Sequence, residues 1–465
     1  MPLILGANSV SGYTVKNSLR FNSGSSDYLN KTFTTPTNNK IFTFSTWIKR
    51  ANIGTSSSQN IIRATGATTT GFRFADTSTD SNMDGIRFFF ENGTTADFST
   101  TQVFRDVSAW YHIMFAVDTT QATSTNRVKI YVNGSQITAF VTATYPSQNY
   151  NPQMNSAVSH AIGSHPNGTQ EFFSGYMAET YFIDGQALTP SSFGETDTLS
   201  GIWIPKSYTG TYGTNGFFLK FLNSASLGTD SSGNGNTFTV NNLTSVDQST
   251  DTPTNNFATL NPLLYSTSIT YSEGNLKFTN TATAQRMVAS SIAPTTGKWY
   301  AECRVTSLGG NYPYIGVLDT SIYTMDTYVG ALARGYGYAQ HGQVYNNAGA
   351  LTTGLTTYTT NDIIGVALDL TNNYVYFSKN GTFINSGVPT SGSSGTGGWA
   401  ITDGYDYSFG SSSLDSGTDP VFDWNFGSPF YSGGSNTDGA GFGNFSYAVP
   451  SGYYALCTKN LANYG

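Results

Sequence analysis

The chain has 465 residues, of which only 11% are charged, with 50 Gly, 30 Tyr, 31 Phe and a net charge of −7. That aromatic content excludes a disordered chain, which lacks the apolar surface to offset its ordering entropy. The absence of any basic run excludes the clustered cations that phosphate neutralisation needs, so no nucleic-acid partner is expected. No apolar stretch approaches the roughly 18 residues of a membrane span. Residues 1–10 lack a basic n-region, so no secretory signal peptide is expected.

Leu19 and Phe21, then Phe42 and Phe44, fall at alternate positions, the signature of a strand. Residues 41–49 (IFTFSTWIK), 110–118 (WYHIMFAVD) and 127–134 (RVKIYVNG) have strand length. The third closes on Asn133-Gly134, a pair that tolerates positive φ at both positions of a tight hairpin. Residues 175–188 (GYMAETYFIDGQAL) read as a last strand and turn. Strands at this spacing predict an antiparallel sandwich over 1–200. Residues 201–263 turn polar at 229–236 (TDSSGNGN) and 247–256 (DQSTDTPTNN) but keep Trp203 and the aromatics of 217–221. They predict a packed connector.

A second strand series occupies 264–465. Residues 297–306 (GKWYAECRVT), 314–319 and 421–427 are strand-like. The clearest hairpin joins 364–370 to 374–378 through Asn372-Asn373 and is followed by Asn380-Gly381. The chain then ends in 452–461 (GYYALCTKNL), and no segment shows the 3.6-residue period of a long helix. The predicted fold class is all-β: two antiparallel β-sandwich (jelly-roll) domains joined by a packed connector.

Retaining glycosidases need two carboxyl groups roughly 5–5.5 Å apart, which period-two spacing supplies on one strand face. The glutamates are Glu91, Glu171, Glu179, Glu195, Glu273 and Glu302, and none begins a Glu-x-Asp-x-Glu or Glu-x-Asp-x-x-Glu run. No catalytic residue is assigned, and no enzyme is expected. His112, His160, His165 and His341 form no zinc spacing, and no nucleophile elbow or phosphate loop occurs. His112 reads as a hydrogen-bonded strand histidine, and Trp47, Trp110 and Trp299 as core. Cys303 and Cys457 are the only cysteines, and their pairing is left open.

Asp80, Asn82, Asp84, Gly85 and Glu91 satisfy the spacing of an EF-hand loop, but the flanking segments are strand-like. The expectation is no cofactor and no metal. Two readings of Asp80, Asn82 and Asp84 stand side by side: a solvated Asx turn and a calcium-binding β-turn.

Residues 16–200 resemble the concanavalin-A-like, laminin-G-like jelly rolls. The resemblance is carried by 44–49 with Trp47, by 110–118, 131–134 and 175–188, and by Glu179 ahead of an apolar run. Residues 264–460 resemble the SPRY family through 297–302, 364–370 and 374–381, with Asp369, Phe377, Asn380 and Gly381 in its signature. The stretch 217–262 resembles a segment that recurs in phage structural proteins carrying these two modules.

The resemblance implies a non-enzymatic virion protein of a bacteriophage, a tail fibre or spike with lectin-like modules for host-surface glycans. Head decoration is the first alternative and a polysaccharide-degrading enzyme the second. Implied partners are other virion proteins of tail or capsid, host-surface polysaccharide and further copies of the chain. The implied location is the exposed surface of the virion, after synthesis in the host cytoplasm. SPRY loops commonly carry recognition. The expected glycan-binding residues are Tyr336, Tyr338, His341 and Tyr345 in 334–347, and Tyr405 and Tyr407 in 402–408.

Overall fold

The structure is a computed structural model and describes residues 12–76, 82–264, 268–309, 312–414 and 417–465. It is nearly all-β, 40% strand and 7% helical, which bears out the predicted class. The chain divides by packing between Thr254 and Asn255.

The first unit is built on two large antiparallel sheets, beside the two-stranded pair Gly194–Thr196 and Trp203–Pro205. One runs in the order Ser135–Gln136, Val128–Val132, Tyr111–Asp118, Ile41–Arg50, Gly175–Asp184, Ser18–Phe21, Gln248–Ser249. The other runs Phe140–Thr144, Ala96–Val103, Gly85–Phe90, Thr69–Phe74, Gln59–Thr65, Ser159–Ile162, Tyr28–Thr32, Thr239–Asn241. Period two sends Phe42, Phe44 and Ile48 inward, where Phe115 stacks on Phe88 at 4.3 Å and on Phe44 at 5.4 Å. Both turn residues of the Asn133-Gly134 hairpin have positive φ.

Strands Ile41–Arg50 and Gly175–Asp184 are buried along both faces, with Ile41 alone only partly so. The cause is the stretch read from sequence as a connector. Phe217–Leu219 pairs with Gly175–Asp184, Thr239–Asn241 with Tyr28–Thr32, and Gln248–Ser249 with Ser18–Phe21. Phe193, Tyr208, Tyr212 and Phe218 pack with Tyr131, Tyr181 and Ile183 over the outer face of the first sheet, and Trp203 packs with Trp47. Residues 201–254 are therefore part of the first unit rather than a separate layer of chain.

Several polar side chains caught under this cover are engaged. Lys49 Nζ lies 2.8 Å from Asp251. Glu179 sits on a bulge at φ 49° and accepts from the Tyr13 and Tyr181 hydroxyls at 2.5 and 2.6 Å. His112, fully buried, accepts from Trp203 Nε1 at 3.0 Å through Nδ1, which leaves Nε2 to donate to Ser45 Oγ at 2.8 Å. The reading of a hydrogen-bonded strand histidine holds.

The second unit is a second sandwich. One sheet runs Ile269–Ser272, Lys277–Asn280, Val421–Asn425, Lys298–Ser307, Ile363–Asp369, Tyr374–Lys379, Thr382–Phe383. The other runs Arg286–Ala289, Tyr407–Ser413, Tyr314–Asp319, Gly335–Ala339, Gln343–Asn346, Gly349–Thr352. The hairpin predicted around Asn372-Asn373 forms, with the Asp369 carboxylate accepting from the backbone of Thr371 and Asn372. Residues 452–461 divide into the strand Tyr454–Ala455 and the start of the α-helix Thr458–Tyr464. Cys303 and Cys457 are both free and buried. Burial pushes the Cys457 thiol up to about 12, and the Cys303 thiol also lies well above its usual value.

Burial lowers the His112 pKa from 6.5 to about 3. Below pH 6.5 the unfolded chain takes up a proton that the folded chain refuses. Stability is therefore full above 6.5 and falls as pH drops towards 3, by up to roughly 1.4 kcal/mol per pH unit from this ring. Burial also lowers the His160 pKa in the same unit to about 4. Urea unfolding of the full chain at pH 7, 6 and 5 should therefore show a slope for the first unit that His112→Gln reduces and does not abolish. An equal stability of the parent at pH 7 and pH 5 contradicts the assignment.

Candidate functional site

In the sheet that carries Gly335–Ala339, alternation decides which tyrosines are inside. Gly410, Gly316, Gly337 and Tyr345 stand opposite one another on consecutive strands. The row makes a trough across the outer face, and residues 320–334 lie over it. A Cβ on Gly337 would come 2.1 Å from the Val329 carbonyl oxygen, so the close approach requires glycine. Val329 N donates to Ser412 Oγ at 3.0 Å, and Met287 N to the Met325 carbonyl at 3.0 Å, which fastens the segment to the sheet.

This segment delivers Tyr328 to the end of the trough. Its ring stacks on Tyr314 at 4.4 Å and 24°. Tyr345 meets Tyr314 and Tyr328 edge-on at 5.6 and 6.2 Å. His341 lies 5.9 Å from the Tyr345 ring, and Tyr312, half-exposed at 50%, lies 6.1 Å from His341. The Tyr345 hydroxyl donates to Gln343 Oε1 at 2.5 Å and lies 3.3 Å from His341 Nε2. Burial and the neighbouring phenols push the Tyr314 and Tyr328 pKa values up, so these hydroxyls stay protonated. The result is a cluster of fixed rings, partly open to solvent, edged by amide and imidazole groups. Such a surface can cover the C–H face of a polyol and bond its hydroxyls.

The six residues expected at the site divide. Tyr336, Tyr338 and Tyr407 are corrected to core positions: Tyr336 is 4% exposed and the other two are fully buried. In Gly335–Ala339 the tyrosines alternate with glycines, so both rings turn inward while Gly335 and Gly337 take the outer face. The Tyr338 hydroxyl donates to the Thr356 carbonyl, and the Tyr407 hydroxyl to the Thr402 carbonyl at 2.9 Å. Tyr405 is 37% exposed, with the Arg334 guanidinium 4.0 Å from its ring centre and bound in turn to Asp319. His341 and Tyr345 join the aromatic cluster. Tyr312, Tyr314 and Tyr328 were missed. The run Tyr312-Pro313-Tyr314 ahead of an uninterrupted strand was the available signal, since Pro313 fixes the entry to that strand.

For the calcium-turn reading, Asp80 lies outside the described residues. Asp84 is buried, and its carboxylate lies 3.0 Å from Arg50 and 2.9 Å from Arg105 and accepts from Gly54 N at 2.9 Å. These partners hold its pKa below the usual value against the opposing effect of burial. Two guanidiniums therefore pair with this one carboxylate. Among the described residues no three His, Cys, Asp or Glu side chains are grouped to hold a metal. Trp47 and Trp299 are core, while Trp110 is only partly buried and donates to Asp251 at 3.1 Å.

Replacing Gly337 by Val should force residues 325–332 off the sheet. The expected loss is about 1–3 kcal/mol, the usual cost of overpacking, read by urea unfolding of the full chain. Unchanged stability would contradict the close approach.

Residues 23–192 match the Laminin_G_3 family, described as the concanavalin A-like lectin/glucanases superfamily, and residues 298–396 match the SPRY domain. No curated protein matches the chain. Similar solved structures include the SPRY domain of human HERC1, at 16% identity and TM-score 0.30, covering 36% of this chain and 96% of that one. Stonustoxin is similar at 18% identity and TM-score 0.28, covering 36% of this chain and 27% of that one. A human SPRY domain is similar at 14% identity and TM-score 0.25, covering 36% and 96%. The chain thus carries a concanavalin A-like domain followed by a SPRY domain, both β-sandwiches.

Proposed function

We propose that the chain is a non-enzymatic structural protein of a bacteriophage particle, a tail fibre or spike that adheres to host-surface glycans. The observation that carries the adhesion reading is the partly open ring cluster of Tyr312, Tyr328, His341 and Tyr345, beside Gln343, on the outer face of the SPRY sandwich. The phage reading is supported by the resemblance of 217–262 to segments of phage structural proteins. On this reading several copies stand on the particle surface, attached to tail or capsid proteins.

Glutamates that an alternative hydrolase would draw on have structural partners. Arg63 and Arg73 hold Glu171, two tyrosines hold Glu179, and Glu302 accepts from Ser446 N at 2.8 Å and Tyr447 N at 2.9 Å. A ring that covers a sugar face gains about 25 cal/mol per Å² of apolar surface. One such site is on the order of millimolar, and many copies raise the avidity by roughly 10²–10⁴.

Particles carrying Tyr312→Ala with Tyr345→Ala should adsorb to host cells at least about tenfold more slowly than parent particles at matched protein content. Equal adsorption with the variant chain folded and incorporated would sink the adhesion reading and put capsid decoration ahead.

A further inference from the structure

The second sheet of the first unit ends on the strand Phe140–Thr144, which pairs on one side with Ala96–Val103. Among the described residues no strand pairs with its other side. Residues 137–145 read ITAFVTATY, nine in a row without a charge, a glycine or a proline. Most are β-branched or aromatic, the residue types that favour a pleated strand. The uncharged run extends from 130 to 159.

The strand is held from behind. Phe98 meets Phe140 edge-on at 5.8 Å and Tyr145 at 4.9 Å. Thr101 N donates to the Ala139 carbonyl at 3.2 Å, and Arg127 Nη1 to the Pro146 carbonyl at 2.8 Å. Between these ties the side chains reach solvent. Val141 is 51% exposed, Ala143 and Thr144 are exposed, and Val103 on the adjoining strand is 37% exposed.

An open edge offers unpaired N–H and C=O groups to any other strand. Native sheets block it with brevity, charge, proline, a bulge or a covering segment. The other open edges of the large sheets are shorter. Ser135–Gln136, Gln248–Ser249 and Thr382–Phe383 have two residues and Thr239–Asn241 has three. Arg286–Ala289 is tied to residues 320–334 where Met287 N donates to the Met325 carbonyl. Phe140–Thr144 is the longest, with five residues, and of these devices it carries only the register shift between Phe140 and Thr142.

An edge of this kind fits the same edge of a second copy. Antiparallel pairing about a two-fold axis perpendicular to the sheet matches the N–H groups of one strand to the C=O groups of its twin. The same symmetry sets each side chain near its own copy and on the same face, so a charge in the strand would meet a like charge. This strand has none. Asp97, opposite Thr144 on the neighbouring strand, is already paired with Arg87 at 2.8 Å. A partner of different sequence would be selected by opposite charge, and the strand offers no charge to select it.

We propose that the chain forms a two-fold dimer in which the Phe140–Thr144 edges of two copies pair antiparallel and their two sheets run on as one. The strand is already ordered in the single copy, so pairing fixes little further chain. Two five-residue strands are a small contact beside the roughly 1,200–2,000 Å² of a standard interface, so the dimer depends on concentration. Copies fixed close together would meet at a raised effective concentration. The dimer is independent of the adhesion reading.

The test is sedimentation velocity of the full chain from about 5 to about 500 μM. The parent should pass from monomer to dimer within that range, and amide exchange at 140–144 should slow as concentration rises. Val141→Lys and Val141→Glu, at a side chain exposed in the monomer, should each raise the dimerisation midpoint at least about tenfold, with melting curves unchanged. An equimolar mixture of the two variants should dimerise again, because the facing charges are then opposite. A parent that stays monomeric throughout overturns the proposal. A dimer that both variants leave intact also overturns it, since its interface then lies elsewhere, and so does a mixture that fails to pair.

Discussion

A sheet covered on both faces must find a partner for every polar side chain its strands carry. Strands Ile41–Arg50 and Gly175–Asp184 live under that constraint. Their inner face is filled by phenylalanines, with Thr46 and Thr180 bonded to each other there at 2.8 Å. Their outer face carries Ser45, Lys49 and Glu179, and each is matched. Ser45 bonds His112, Lys49 pairs with Asp251, and Glu179 takes two phenols. An unpaired partner in any of these places would leave a buried polar group, at about 1–3 kcal/mol each and more for the charges. The segment 186–251 supplies Asp251 to Lys49 and Trp203 to His112 and packs Phe193, Tyr208, Tyr212 and Phe218 over the sheet, which is why it stays ordered despite its polar composition.

The SPRY sandwich meets a related problem by the opposite means. Its outer face is covered by residues 320–334, but the sheet there offers glycines rather than polar side chains. Backbone can then lie directly on backbone, and the fastening falls to Ser412 and the edge strand Arg286–Ala289. The same trough that admits this segment sets Tyr328 against Tyr314. The cluster of rings at the trough's end is thus a by-product of how the sheet is covered.

Much of the fold was legible in the sequence because alternation, Asn-Gly turns and strand length report on local backbone geometry. Phe42/Phe44 and the hairpin at Asn372-Asn373 are of this kind. The role of 201–254 was not legible, since cross-strand pairing over such sequence separations leaves no local period. The site was half legible. Tyr336 and Tyr338 drew attention by composition, but the glycines between them are what turn both rings inward. His341 and Tyr345 were recognisable as polar-flanked aromatics. Tyr312 and Tyr328 needed the trough to be seen, because their neighbours come from other strands.

The two buried thiols carry a consequence for where this protein can persist. Cys303 lies inside a central strand, Cys457 at the foot of the final helix, and neither forms a covalent link. Their raised pKa values keep them as thiols rather than thiolates, the form that oxidants and metals attack slowly. Neither sandwich draws its cohesion from a sulfur–sulfur bond. The same molecule can therefore fold in a reducing compartment and keep its shape in an oxidising one, with no chemical maturation at either cysteine between the two.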